Sequence, residues 1–162
     1  MILDAGCGEG RILKDIKEDI IGLDLNIIKL KSAKKYGKPL VLGDIRNLPF
    51  KNESFTKVLL SHVLEHIREV DIALNEVKRV TKKNGIIEIY LPSEKLMYND
   101  KTHVWFLNLE EWKSLIGRYF KILKTESLFN LPDGVAGKLN FIPAKIRKKF
   151  LFDWKNFFLS AR

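Results

Sequence analysis

Glutamine is absent from the 162 residues, and cysteine occurs once, at Cys7. A lone cysteine excludes an internal disulfide framework and fits a reducing compartment, so a cytoplasmic location is expected. No apolar run approaches the roughly 20 residues needed to span a bilayer. The first residues already read as a strand, so no signal peptide is expected either. Internal repeats and low-complexity linkers are missing, which leaves one domain over 1–162. The dinucleotide fingerprint G-x-G-x-x-G is missing too, because Arg11 stands where its third glycine would fall. No Gly-Lys-Ser/Thr of a P-loop follows, and Glu9 would set a negative charge against a pyrophosphate. No Ser–His–Asp or Cys–His arrangement can be built.

What is present is a soluble globular composition, 46% hydrophobic and 30% charged. Abundant Lys, Ile and Glu without Gln lean towards a heat-adapted source. The net charge of +9 is unevenly spread. Lys138, Lys145, Arg147, Lys148, Lys149, Lys155 and Arg162 face Asp153 alone, so +6 of the excess lies in the last 25 residues.

The chain is organised around Met1–Arg11. A short apolar run ends at Asp4, and glycines follow at Gly6, Gly8 and Gly10. Ile12, Leu13 and Ile16, spaced by charges, predict a helix after them. Strand, glycine turn and helix form a corner on which a nucleotide-like ligand can lie, because glycine removes the Cβ that would hold it off the backbone. Cys7 reads as a small buried loop residue or a reactive thiol. Two further apolar runs also end in acids, Asp19–Asp24 and Pro39–Asp44. Asp24 lies 20 residues after Asp4, the spacing at which a carboxylate accepts ribose hydroxyls. Its alternative role is the N-cap of a helix over 26–36.

Asp4-Ala5-Gly6-Cys7-Gly8-Glu9-Gly10 resembles the first motif of class I S-adenosylmethionine-dependent methyltransferases, acid-x-Gly-x-Gly-x-Gly. The likeness continues through Leu48-Pro49-Phe50, Ser54-Phe55, Val63–Ile67 and His103–Glu111, nearly the whole chain. Thr56-Lys57 departs from it where the family carries an acid. The resemblance implies a doubly wound α/β sheet of seven strands, order 3-2-1-4-5-7-6, with the last strand antiparallel. It implies a small methyltransferase domain of the type 11 kind. Relatives carry helices before the first strand, and these cap helices are expected to be absent here.

The cofactor implied is S-adenosylmethionine, with S-adenosylhomocysteine as product. Its implied contacts are Asp4, Ala5, Gly6, Cys7, Gly8, Gly10, Asp24, Leu25, Asp44, Ile45, Ser61 and His62, with Asp44 on the adenine amino group. His62, His66 and His103 fall where the methyl acceptor is expected, beside Glu65, and are the candidate catalytic residues. His62-x-x-Glu65-His66 with His103 also has the residue types of a metal site; the reading adopted is metal-free. Val70–Thr81 keeps the i, i+3, i+4, i+7 rhythm of a helix, with Gly85 expected at its C′ position. Ile86–Pro92 is expected as strand five, Asn108 as the cap of a helix to Gly117, Tyr119–Phe129 as strand six and Trp154–Arg162 as strand seven. The insertion at about 131–153 reads as an ordinary edge helix or as a basic surface, Lys138–Lys155, for an anionic acceptor such as RNA, lipid or a phosphorylated metabolite. The protein is expected as a monomer or homodimer. The other classes considered are an inactive cofactor-binding module and a nucleotide-binding oxidoreductase.

Overall fold

The computed structural model describes residues 1–92, 97–98, 100–127 and 156–161. In chain order these form β1 (Ile2–Ala5), β2 (Ile20–Asp24), α1 (Ile27–Ala33), β3 (Leu40–Leu42), β4 (Phe55–Ser61), α2 (Val70–Val80), β5 (Thr81–Pro92), α3 (Leu109–Gly117), β6 (Ile122–Ser127) and β7 (Asn156–Ala161). The strands make one sheet in the order β3-β2-β1-β4-β5-β7-β6. The first five pair in parallel, and β7 runs antiparallel to both β5 and β6. The expected topology is therefore met strand for strand.

Alternation along the strands explains the two-sided core, since successive side chains point to opposite faces. Leu3, Leu23, Val58 and Leu60 go to one face, where they meet Val70, Leu74 and Val77 of α2 and Trp112 and Ile116 of α3. Ile2, Ile20 and Leu59 go to the other, against Leu30 of α1 and the segment carrying Ile12 and Leu13. A sheet covered on both faces needs near-continuous apolar strands, which is why β1 is buried throughout. Each fully buried leucine contributes about 2 kcal/mol.

Two expectations fail for physical reasons. Residues 11–15 form turns, and no helix runs between Gly10 and β2. Only nine residues bridge Gly10 and Ile20. As a helix they would rise about 13 Å, roughly the length of β1, leaving none to turn the chain at either end. The chain instead closes single turns, Gly10 N–H to the Cys7 carbonyl (2.9 Å) and Asp15 N–H to that of Ile12 (3.0 Å). Gly85 is not a helix C′ residue: α2 ends at Val80 and β5 starts at once. Residues 82–85 bulge out between the pairs Phe55–Thr81 and Lys57–Ile86. A Cβ on Gly85 would meet Thr81 Cγ2 at 2.5 Å and the carbonyl oxygens of Lys82 and Thr56 at 3.0 and 3.1 Å.

Other boundaries agree more closely. Asn108 caps α3 in a full capping box with Glu111. Arg79 ties α2 to the connector before β4, donating to the carbonyls of Leu48 (2.9 Å) and Phe50 (2.7 Å). Among the described residues no helix is long and apolar enough to cross a membrane. The basic stretch Lys138–Lys155 lies outside the described residues.

Candidate active site

The chain leaves the carboxyl ends of β1 and β4 for opposite faces of the sheet, the switch point at which doubly wound sheets take their ligands. The glycine loop turns out of β1 there. Its amides at Gly6 and Cys7 donate back to the Leu23 carbonyl, at 2.7 and 2.9 Å. Gly6, Gly8 and Gly10 all have positive φ, 89°, 53° and 77°. Gly6 also packs against the next segment so closely that a Cβ would lie 2.3 Å from Val63 Cγ2. Gly8 differs: a Cβ there would meet no atom within 4 Å. The loop thus offers open backbone at Gly8, the cradle a ligand needs.

Asp24 holds this loop. Its Oδ2 accepts from Gly8 N–H at 2.8 Å and its Oδ1 from Asn26 N–H at 2.8 Å. The helix-cap alternative is excluded, because Asn26 itself caps α1 through Ile28 and Lys29 N–H. Leu25, beside it, is exposed. Asp4 lies beneath the loop, fully buried, and neither carboxylate oxygen has a partner. Burial first, then the charge of Asp24, pushes its pKa up to about 7. Burial also pushes the Cys7 thiol up to about 12, with Asp4 and Asp24 adding to it. Cys7 is therefore the buried loop residue and not a reactive thiol.

Asp44 sits just beyond β3, with Ile45 buried after it. Sequence reasoning missed its partner. Arg46 clamps both Asp44 oxygens (Nε at 3.0 Å to each, Nη2 at 2.6 Å to Oδ2) and reaches Glu69 with Nη1 at 2.8 Å. Those hydrogen bonds lower the Asp44 pKa. The spacing Asp44-x-Arg46 was the available signal, but it carries no more than a possible local pair.

Ser61 ends β4 opposite Tyr90. His62 then turns the chain with a φ of 54°, an unusual value for a non-glycine residue. Its Nδ1 lies 3.1 Å from Glu65 Oε1. Glu65 is fully buried, and its Oε2 has no partner. The segment before α3 returns to this point: Val104 N–H donates to the Glu65 carbonyl at 2.8 Å, and Trp105 Nε1 to that of Ile67 at 2.7 Å. This brings the rings of His66 and His103 to 4.7 Å between centroids. The sequence-predicted residues therefore fall into the loop with Asp4 and Asp24, the His62–Glu65–His66–His103 cluster, and Asp44 and Ile45 apart from both beyond β3. Val63, packed on Gly6, connects the first two.

A parallel doubly wound sheet with an open glycine loop at its switch point defines an α/β cofactor-binding domain. Residues 3–89, more than half the chain, match the family described as Methyltransferase domain. The chain belongs to that family. It is 44% identical over 87 residues to an uncharacterised protein of Methanocaldococcus jannaschii, covering 52% of this chain and 34% of that one. It is 34% identical over 150 residues to the uncharacterised methyltransferase YodH of Bacillus subtilis, covering 82% and 64%. The chain thus spans between a third and two thirds of these relatives' lengths. Its fold is similar to that of a SAM-dependent methyltransferase, possible histamine N-methyltransferase, from Thermotoga maritima. That likeness has a TM-score of 0.75 at 22% identity, over 99% of this chain and 80% of the other.

Proposed function

We propose that the chain transfers a methyl group from S-adenosylmethionine to an oxygen, nitrogen or carbon acceptor by in-line displacement. The observation that carries this is the fully buried, unpartnered Asp4 carboxylate beneath an open Gly8. A buried carboxylate without partners is costly, and a cationic group is what relieves it. The ammonium of the cofactor's methionine end supplies that charge, so the residues fit the group. Each Asp24 oxygen accepts one N–H and keeps a second lone pair for a ribose hydroxyl. Ala5, Gly6, Cys7, Gly10, Leu25, Ile45, Ser61 and His62 complete the wall as the resemblance implies. Asp44 can accept the adenine amino group only by sharing its oxygens with Arg46.

When bound, the sulfonium supplies a methyl group already activated for displacement. The protein's own task is then alignment and exclusion of water, each able to lower the barrier by several kcal/mol. Val63, pressed on Gly6, sets the distance between the loop and the histidine cluster. His62, held by Glu65, and His66 and His103, facing each other, are the groups able to receive a proton from an acceptor. An anionic acceptor would suit the basic Lys138–Lys155 stretch.

Calorimetry with S-adenosylhomocysteine tests this reading. Micromolar binding, about −8 kcal/mol, is expected. Binding of NAD in its place would transfer the chain to the oxidoreductase class. Cofactor binding without transfer to any acceptor fraction would leave the binding-module reading.

A further inference from the structure

A carboxylate oxygen of Glu65 and ring nitrogens of His66 and His103 lie within 4.8 Å of one another. Hydrogen bonding decides which ring nitrogens remain available. His103 Nδ1 is 2.8 Å from the Met97 carbonyl oxygen, which can only accept. Nδ1 must therefore carry the proton, and the neutral ring keeps its lone pair on Nε2. The same follows for His66 by one more step. Thr102 Oγ1 gives its single hydrogen to Asp100 Oδ1 at 2.6 Å, so towards His66 Nδ1, 2.9 Å away, it can only accept. The Thr102 carbonyl, 3.3 Å from the same nitrogen, requires the same tautomer. Both imidazoles are thus held at Nδ1 and keep the lone pair on Nε2, the arrangement in which outer-shell groups orient metal-binding histidines.

The second observation is independent of the histidines. Glu65 is completely buried, yet only Oε1 has a partner, His62, and Oε2 has none. A buried carboxylate left half-bonded beside two imidazole lone pairs lacks a cation.

We infer that Glu65, His66 and His103 form a binding site for a first-row divalent transition metal ion. Two imidazoles and one carboxylate suit zinc, cobalt or manganese and disfavour magnesium, which prefers oxygen ligands alone. Donors about 2.1 Å from one tetrahedral ion stand roughly 3.4 Å apart, so donors up to 4.8 Å apart close by at most about 1.4 Å on binding. His66, on the exposed side, can make that movement. Asp100 Oδ2, 4.0 Å from His103 Nε2, is a further carboxylate beside the cluster. Three protein ligands leave a position for an exogenous oxygen, where an acceptor hydroxyl or water would lose its proton near neutral pH. That last role rests on the methyl-transfer reading; the metal site itself does not.

The test uses the untagged full chain, stripped with chelator, and cobalt ion alone, without methyl donor or acceptor. One equivalent is expected to bind with visible ligand-field absorption, and zinc is expected to displace it. His66→Asn, His103→Asn and Glu65→Gln should each weaken cobalt binding at least about tenfold. Glu65→Gln keeps the side-chain shape and removes a buried charge, so it folds without the metal. Asp24→Ala, in the loop, should leave cobalt affinity unchanged. No saturable band at about 1 mM cobalt, or wild-type affinity in Glu65→Gln, overturns the proposal. Loss of S-adenosylhomocysteine binding in calorimetry would overturn only the methyl-transfer reading.

Discussion

The Asp24 carboxylate accepts the Gly8 amide at 2.8 Å, so the end of β2 holds the glycine loop that leaves β1. One side chain thereby shapes the loop while keeping lone pairs for a ligand. Asp24→Ala removes both contributions. S-adenosylhomocysteine binding should weaken by about 1–3 kcal/mol, five- to 150-fold, as read by calorimetry. An unchanged affinity would remove Asp24 from the cofactor site.

Gly6 and Gly8 separate folding from binding. Gly6→Ala puts a methyl group 2.3 Å from Val63 Cγ2 at a φ of 89°, so it should destabilise the fold by about 2–4 kcal/mol. Val63→Ala should recover part of that loss in a double-mutant cycle, since the collision is with its side chain. Gly8→Ala meets no protein atom and should cost about 1–2 kcal/mol from backbone strain alone. On the proposed function its methyl group instead enters the space of the cofactor. Cofactor affinity should fall well beyond what the small loss of melting temperature explains.

Why some of this was legible in sequence and some was not follows from the range of the interactions. β1, β2 and β4 announce themselves as short apolar runs, and Asp4, Asp24 and the glycines mark the switch point because strand ends and turns are local. The missing helix after Gly10 is different: the Ile12, Leu13, Ile16 spacing is helical, and a shortage of residues between two strands overrode it. Gly85 misled for a similar reason, because the bulge that needs it is set by the register break between Phe55 and Lys57 on another strand. The Thr102–His66 contact joins residues 36 apart, and nothing near either one encodes it. The residue types of a metal site were legible in Glu65, His66 and His103, but which nitrogen each ring keeps free became readable only once Asp100, Thr102 and Met97 were in place.

Cofactor and acceptor groups should respond separately to mutation. His66→Ala leaves the loop and Asp24 intact, so S-adenosylhomocysteine affinity should stay within about twofold. Transfer of labelled methyl groups into cell-extract fractions should drop by at least 100-fold, whether His66 takes the acceptor's proton itself or holds an ion that lets the acceptor lose it. Equal losses in both measurements would place His66 in cofactor binding.

The lysines of the basic stretch can be tested without a structural account of it. Lys145, Lys148 and Lys149 replaced by Ser should leave folding and cofactor affinity nearly unchanged. If the acceptor is a polyanion, its binding should lose about one unit of log–log salt slope for each phosphate contact removed. RNA and anionic vesicles titrated side by side separate the two partners. If neither binds the wild type, the lysines are a solvated face.

Asp4 supplies a prediction whose sign is set by burial. Its carboxyl rises from 3.8 to about 7 on folding, so the folded state holds the proton more tightly than the unfolded chain. The stability this contributes is fully present below about pH 4 and is lost as pH rises through about 7. Asp4→Asn keeps the shape and cannot ionise. In chemical denaturation without ligand it should match the wild type near pH 4 and exceed it at pH 8. A cationic ligand group reverses the balance, because a positive charge beside the carboxylate lowers its pKa. Binding of S-adenosylhomocysteine at pH 6 should therefore expel up to about one proton, and at pH 8 much less. Calorimetry in buffers of different ionisation enthalpy counts that proton directly. The wild-type heat at pH 6 should depend on the buffer, and that of Asp4→Asn should not. Buffer-independent heat in the wild type would mean that the ligand's charge is met elsewhere, and Asp4 would then be a buried acid of the fold and no part of the cofactor site.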